Sequence, residues 1–262
     1  MRDSPVHRPA AWRRIAPLQW LGSVFFTVQL FLLSPVWGAV ITLVGWLPFR
    51  ALYVFARGWA GSNLWLARML CGLDWVVEGR ENIPHEGAHI SMWKHTSAWE
   101  TMAQMVVMPP QAWVLKREIL WIPLVGWATW MLKCIAINRG AGHRAVNQVL
   151  DQGRDRLAAG IWVLVFPEGT RVESGQTRKY GMSGSLLASQ AGVKIVPVAH
   201  NAGDLWPRRG LLKKPGLIRV VIGPAIDAAG RDPRALNAEV RGWIETKMRE
   251  ISAPADSGPE AA

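Results

Sequence analysis

A chain of 262 residues, half of them apolar, is long enough to bury one large α/β domain, and its net charge of +11 asks for an anionic partner, a membrane surface or a nucleic acid. Sixteen tryptophans against two tyrosines favour the membrane, because tryptophan settles at the membrane–water interface. The two cysteines, Cys71 and Cys134, stand in no C-x-x-C pair and in no ligand spacing, which excludes a cysteine-held metal and marks both as reduced core residues of a cytosolic domain.

Positions 1–14 carry Arg2, Arg8, Arg13 and Arg14 against Asp3 alone, and positions 18–49 then contain no charged residue, 32 in succession. One straight helix of that length would measure about 48 Å, against about 30 Å for a hydrocarbon core. Ser34-Pro35 falls near its middle, and an interior proline breaks or kinks a helix, which leaves halves of about 22–24 Å. Arg50, Arg57 and Arg68 follow, so both flanks are basic and both belong on the cytoplasmic side. The expectation is a membrane-associated helical hairpin dipping into one leaflet, with Trp20, Trp37 and Trp46 at the interface; one tilted, kinked span is the alternative. A cleaved signal peptide is disfavoured, because the apolar stretch continues well past any cleavage site at 37–39. Positions 50–70, with Trp59 and Trp65 beside Arg57 and Arg68, read as a helix lying along the interface.

From position 74 onward, β-prone apolar runs alternate with helical patterns. Strands are expected near 74–79, 88–93, 112–116, 134–138, 161–166, 194–199 and 217–223. Helices are expected near 98–107, 118–131, 142–159, 182–191 and 233–251. The runs at 161–166 and 195–199 are apolar without interruption, as in strands covered on both faces. Gly160 and Gly192 are helix stops, and Asp232-Pro233 is a helix start. The pattern predicts an α/β fold: a mainly parallel seven-stranded sheet with helices on both faces, preceded by the N-terminal membrane-associated helical hairpin. The expected division is 1–72 for the anchoring helices, 73–251 for the α/β domain and 252–262 for a disordered tail rich in Pro, Ala and acid.

Ligands of such sheets bind at the carboxyl ends of the strands, and four motif-bearing loops fall there. His95 and Glu100 follow the 88–93 run. Five positions on a continuous helix would set their side chains about 140° apart, so they meet only if the backbone turns between them. That geometry suits a general base whose imidazole is held in one tautomer by a carboxylate. Ser97 to Glu100 is also S-x-x-E, a capping box, in which the acid need only bond back to the Ser97 N–H. Lys116 and Arg117 follow the next strand, and Arg139 the one after. Phe166-Pro-Glu-Gly-Thr-Arg171 completes the rim: Gly169 permits close backbone approach, Thr170 offers a hydroxyl and Arg171 can fork onto a phosphate. Glu168 fits beside a phosphate only if it pairs with Arg139 or Arg171, or accepts from a substrate hydroxyl.

Five blocks in this order, HTSAWE at 95–100, KREILWIP at 116–123, AINRG at 136–140, FPEGTR at 166–171 and IVPVAHNAG at 195–203, resemble those of the bacterial lysophosphatidate (1-acylglycerol-3-phosphate) acyltransferases. That family usually reads His-x4-Asp in the first block; here the acid is Glu100, one methylene longer. The resemblance implies His95 as base and Glu100 as its orienting partner, phosphate binding by Arg139, Glu168, Gly169, Thr170 and Arg171 with Lys116 adding charge, and Pro197 in the acyl or acceptor pocket. It implies transfer of an acyl group from acyl-CoA or acyl carrier protein to the sn-2 hydroxyl of lysophosphatidate at the inner, cytoplasmic membrane, with no metal and no bound cofactor. Glycerol 3-phosphate, lyso-ornithine lipid and other lysophospholipids are the alternative acceptors, and a membrane-bound scaffold is the non-enzyme alternative. A serine hydrolase would want G-x-S-x-G, which Gly181-Met-Ser-Gly-Ser185 does not complete; a zinc protease would want H-E-x-x-H, which is absent; and no nucleic-acid-binding motif appears.

Overall fold

A computed structural model describes residues 16–252; the basic segment 1–14 and the tail from 253 lie outside the described residues. Seven strands, β1 (Leu73–Glu78), β2 (Ile90–Trp93), β3 (Gln111–Lys116), β4 (Ile135–Ile137), β5 (Trp162–Val165), β6 (Ile195–His200) and β7 (Gly216–Ile222), form one sheet in the order β1-β7-β6-β2-β5-β3-β4. Every pair is parallel except β6·β7. The five strands from β6 to β4 therefore end on one edge, whereas β1 and β7 end on the opposite one.

Central strands β2, β5 and β6 are buried along their whole length, as continuous apolar runs should be when helices cover both faces. On one face, α5 (His143–Ala158), α6 (Ser183–Ala191) and α8 (Pro233–Ile251) pack over Ile90, Met92, Val163, Val165 and Ile195. On the other, α2 (Phe49–Cys71), α3 (Glu100–Val107) and α4 (Val125–Met131) join Trp93, Leu164, Val196 and Val198. The helix signals act as read: Asp232 accepts from the Ala235 N–H at 2.9 Å with Pro233 behind it, and Gly192 closes α6 in the left-handed region. The expected helix at 118–131 is divided. Residues Arg117–Trp121 form a 3₁₀ turn, and Pro123 holds back α4 until Val125.

The N-terminal expectation needs correction. No reversal occurs at Ser34-Pro35; α1 runs unbroken over Ala16–Leu43 with Pro35 inside it. At 28 residues it extends about 42 Å, long and apolar enough to cross a membrane by length and composition. The missing proline N–H is tolerated because the helix is held from the side. Gly22 lets it approach the Leu70 backbone, Gly38 the Leu124 backbone, and the Trp37 ring covers Gly58 of α2. The chain reverses at 44–48 instead, and Pro48 precedes the first turn of α2.

Helix α2 is not a helix merely lying on an interface. It buries Leu52, Tyr53, Ala56, Ala60, Leu64 and Ala67 against protein. Arg57 is turned inward and donates to the carbonyls of Met105 and Met108, both at 3.0 Å, which caps the end of α3. What remains open is apolar. Phe31 and Leu32 on α1 are 72% and 67% exposed, Trp46 at the reversal 81%, and Trp121, Trp127 and Trp130 beside α4 are also open. They lie on α1, on and beside α4 packed against it and at the reversal between α1 and α2, more large open apolar side chains than an ordinary soluble face carries. A cleft of about 350 Å³ lies among them, lined by Thr42, Leu120, Gly126, Trp127, Trp130 and Met131. Of its lining residues, Leu120 belongs to the 3₁₀ turn that follows β3.

Candidate active site

The five strands that end together set the order of the rim: His200 ends β6, His95 follows β2, residues 166–171 follow β5, Lys116 ends β3, and Arg139 follows β4. Adjacent loops leave the sheet about 5 Å apart, so His95 and the 166–171 loop are neighbours while Arg139 starts about 10 Å from the latter.

His95 and Glu100 meet because the chain leaves β2 at Trp93, turns, and starts α3 at Glu100 itself. The Nδ1 of His95 lies 2.9 Å from Glu100 Oε1. The same carboxylate accepts from the N–H groups of Thr96 at 3.0 Å and Ser97 at 2.9 Å. The capping-box bond and the imidazole bond thus coexist on one acid, and the first aims the second. Glu100 is fully buried, which by itself would push its pKa up. The neighbouring imidazoles of His200 and His95 and the Ser97 N–H outweigh burial and hold it below the usual carboxylate range. An ionised Glu100 only accepts, so Nδ1 of His95 carries the hydrogen and Nε2 presents a lone pair. The ring is further fixed by stacking on Phe166, centroid to centroid 4.0 Å at 18°, the first residue of the neighbouring loop.

His200 stands on the far side of the acid, its Nε2 3.9 Å from Glu100 Oε2. That nitrogen donates to the Lys94 carbonyl at 2.8 Å, and Nδ1 accepts from the Ala202 N–H. Burial lowers the pKa of His200 more than Glu100 raises it, which suits a neutral ring with both nitrogens used.

Residues 166–171 turn tightly. The Gly169 N–H bonds to the Phe166 carbonyl at 3.0 Å and Gly169 sits at φ +68°, a conformation that strains any residue with a Cβ. Val172 N–H donates to the His95 carbonyl at 2.8 Å, which ties the residue after Arg171 to the imidazole-bearing one. Arg171 is half-buried and its guanidinium reaches the Arg208 carbonyl at 3.5 Å; Thr170 is half-buried and Gly169 exposed. Lys116 is exposed and pairs with Glu118 at 3.4 Å. Arg139 is exposed in a short 3₁₀ turn that follows β4.

Two positions differ from the sequence expectation. Glu168 pairs with neither Arg139 nor Arg171; it points inward, buried, with Oε1 3.3 Å from Lys94 Nζ. Pro197 is buried within β6 opposite Met92, on the face shared with Ile195 and Ala199, so it supports a central strand rather than opening onto solvent. The sequence reading passed over Lys94 and left open whether His200, in the 195–203 block, lines the site or is structural. Both were detectable by period two along a strand: Lys94 follows Met92 on the α5/α6/α8 face, and His200 follows Val198 on the other. Among the described residues no group of three or more His, Cys, Asp or Glu has the arrangement of a metal site.

A positioned imidazole beside a loop of open N–H, hydroxyl and guanidinium groups can deprotonate an alcohol whose anionic group binds that loop. A family model described as Acyltransferase matches residues 74–201. The 1-acyl-sn-glycerol-3-phosphate acyltransferase of Pseudomonas aeruginosa is 42% identical over 243 residues, 91% of this chain and 94% of that protein. The alpha form from Mus musculus is 28% identical over 225 residues, 79% of each chain. The fold is similar to the crystal structure of the 1-acyl-sn-glycerophosphate acyltransferase from Thermotoga maritima, with a TM-score of 0.77 at 22% identity over 94% of this chain and 100% of that one. At 42% identity to such a relative over 91% of its own length, the chain belongs to the 1-acyl-sn-glycerol-3-phosphate acyltransferase family.

Proposed function

We propose that this protein transfers a fatty acyl group from acyl-CoA or acyl carrier protein to the sn-2 hydroxyl of lysophosphatidate, giving phosphatidate. The observation that carries this reading is the 2.9 Å contact of His95 Nδ1 with a Glu100 carboxylate itself fixed by two backbone N–H groups. Nε2 of His95 takes the hydroxyl proton as the oxygen attacks the thioester carbonyl. The carbonyl π electrons move to its oxygen, then return as the C–S bond breaks, and the imidazolium protonates the departing thiolate. Glu100 stabilises that imidazolium. No acyl-enzyme is needed. Arg171, with Thr170 and Gly169, holds the acceptor phosphate, and Lys116 and Arg139 extend positive potential along the rim; fixing the phosphate brings the hydroxyl to His95. Glu168 acts from within this loop and not as a direct phosphate ligand. The apolar patch around α1 and α4 seats the protein on a membrane, the catalytic edge on its cytoplasmic side, and the cleft beside Trp127 and Trp130 suits a hydrocarbon chain.

The test is purified protein with acyl-CoA and a panel of lysophosphatidate, glycerol 3-phosphate, lyso-ornithine lipid and neutral lysolipids. Lysophosphatidate should be the preferred acceptor. His95→Ala should abolish turnover with unchanged thermal unfolding, and Arg171→Ala should raise acceptor KM more than it lowers kcat. A His95→Ala protein that still acylates lysophosphatidate at the wild-type rate would overturn the mechanism.

A further inference from the structure

We propose that Lys94, Glu245 and Tyr180 form a buried positioning cluster that holds the 166–171 loop in register with His95, so that the C-terminal helix α8 sets how the acceptor phosphate is bound. This rests on the reading of that loop as the phosphate site.

Lys94 immediately precedes His95, yet its side chain is only 1% exposed. Its Nζ donates to Glu245 Oε1 at 2.7 Å and to the Gln176 carbonyl at 3.2 Å, and lies 3.3 Å from Glu168 Oε1. Glu245 comes from α8, beyond the residues matched by the acyltransferase family model, and its Oε1 also accepts from the Tyr180 hydroxyl at 2.9 Å. Tyr180 is buried, and the next residue, Gly181, donates its N–H to the Pro167 carbonyl at 2.7 Å. One ammonium therefore joins the exit of β2, the 166–171 loop, the segment that follows it, and α8. A buried ammonium is tolerated only when its partners are complete, so these four segments are constrained as a unit.

The charge count gives the cluster a second consequence. Two carboxylates share one ammonium, and Glu168 is the weaker-paired of them. Burial foremost, with Glu245 adding repulsion and Lys94 pulling the other way, brings its pKa up to about 7. The other groups facing the cluster are the Tyr180 hydroxyl, Arg241 of α8 through Tyr180, and His200 on the Lys94 side. Neutral Glu168 leaves the loop without a negative charge beside the phosphate; ionised Glu168 repels it. Glu245→Gln keeps the acceptor oxygen but removes a charge, leaving Lys94 to Glu168 alone and making Glu168 more acidic. Lys94→Met does the reverse.

The experiment measures KM for lysophosphatidate and for acyl-CoA from pH 5.5 to 8.5 on the full-length protein and both variants. The substrate's own ionisation is common to all three and cancels. In the wild type, acceptor KM should rise as pH passes neutrality. In Glu245→Gln that rise should move to lower pH, with acceptor KM at pH 7 up by about tenfold, the scale of turning a charge-assisted hydrogen bond into a neutral one. In Lys94→Met it should move to higher pH, and KM for acyl-CoA should stay within threefold throughout. If Lys94→Met does not fold, Tyr180→Phe, which removes the tether and keeps both carboxylates, should raise acceptor KM without moving the pH midpoint. Shifts in the same direction, or changes confined to kcat or to acyl-CoA, overturn the cluster while leaving the acyltransferase reading intact. A wild-type protein that acylates no lysophosphatidate overturns both.

Discussion

Replacing Glu100 by glutamine preserves shape and removes only charge and one acceptor, so its effect isolates what the carboxylate does for His95. In the wild type, Glu100 Oε1 receives the imidazole and two backbone N–H groups, and Oε2 receives the Ser97 N–H at 3.0 Å. Glutamine must place an NH2 at one of these positions. If it keeps oxygen toward His95, the amide meets the Ser97 N–H donor to donor; if it flips, it meets the imidazole N–H instead. The first arrangement loses less, and then the bond that stabilises the developing imidazolium changes from charged to neutral. Charge-assisted bonds contribute about 1.5–3 kcal/mol and neutral ones about 0.5–1.5 kcal/mol, and the unfavourable Ser97 contact loosens the ring further. A total loss of about 2–4 kcal/mol in the transition state corresponds to kcat lower by roughly 30- to 1000-fold. The assay is steady-state acyl transfer with both substrates saturating, with thermal unfolding measured alongside. Glu100→Asp, which restores charge but withdraws it by one methylene, should fall between the two. A Glu100→Gln protein within threefold of wild type, equally folded, would refute the idea that this carboxylate orients and stabilises the imidazole.

Glu168→Gln tests the buried acid through stability. A carboxyl with a folded-state pKa raised from 4.5 to about 7 favours the folded state fully below pH 4.5, and that advantage disappears as pH rises to 7. Between pH 5 and 8 the variant should therefore gain on wild type by about 2 kcal/mol, read as converging or crossing denaturant midpoints; a gap independent of pH would contradict the raised pKa. At the membrane face, Phe31→Asp with Leu32→Asp places two charges on an open stretch of α1 and should move the protein from the membrane pellet to the supernatant in a vesicle sedimentation assay. Retained sedimentation would mean that α1 is not the seat of binding. At the α1·α2 contact, a Cβ on Gly22 would lie 2.2 Å from the Leu70 carbonyl oxygen, so Gly22→Val must push the helices apart. Its expected cost is about 1–3 kcal/mol, measured as a lower unfolding temperature in detergent; an unchanged temperature would show that the two helices are not tightly docked.

What was legible in the sequence, and what was not, follows from the range of the interactions involved. Strands β5 and β6 announce themselves because a strand covered on both faces must be apolar at every position, and α8 because its cap, its proline and its stripe are all local. The meeting of residues 95 and 100 was legible for the opposite reason: their spacing is incompatible with one regular element. Pro35 misled because the proline rule prices an isolated helix. Here packing against α2 and the 120s segment favours a continuous rod over a break, while the true reversal carries its own signal in Gly45-Trp-Leu-Pro48. The pairing of Lys94 with Glu245 spans 151 positions, and no local pattern specifies a partner at that distance. Yet the burial of Lys94 was deducible. A strand that buries Ile90 and Met92 on one face carries the side chain at 94 toward that same face, and an ammonium directed into a core requires acids there. The sequence offers Glu168 at the end of a neighbouring apolar strand, so the acid that fitted poorly beside a phosphate and the buried cation explain one another.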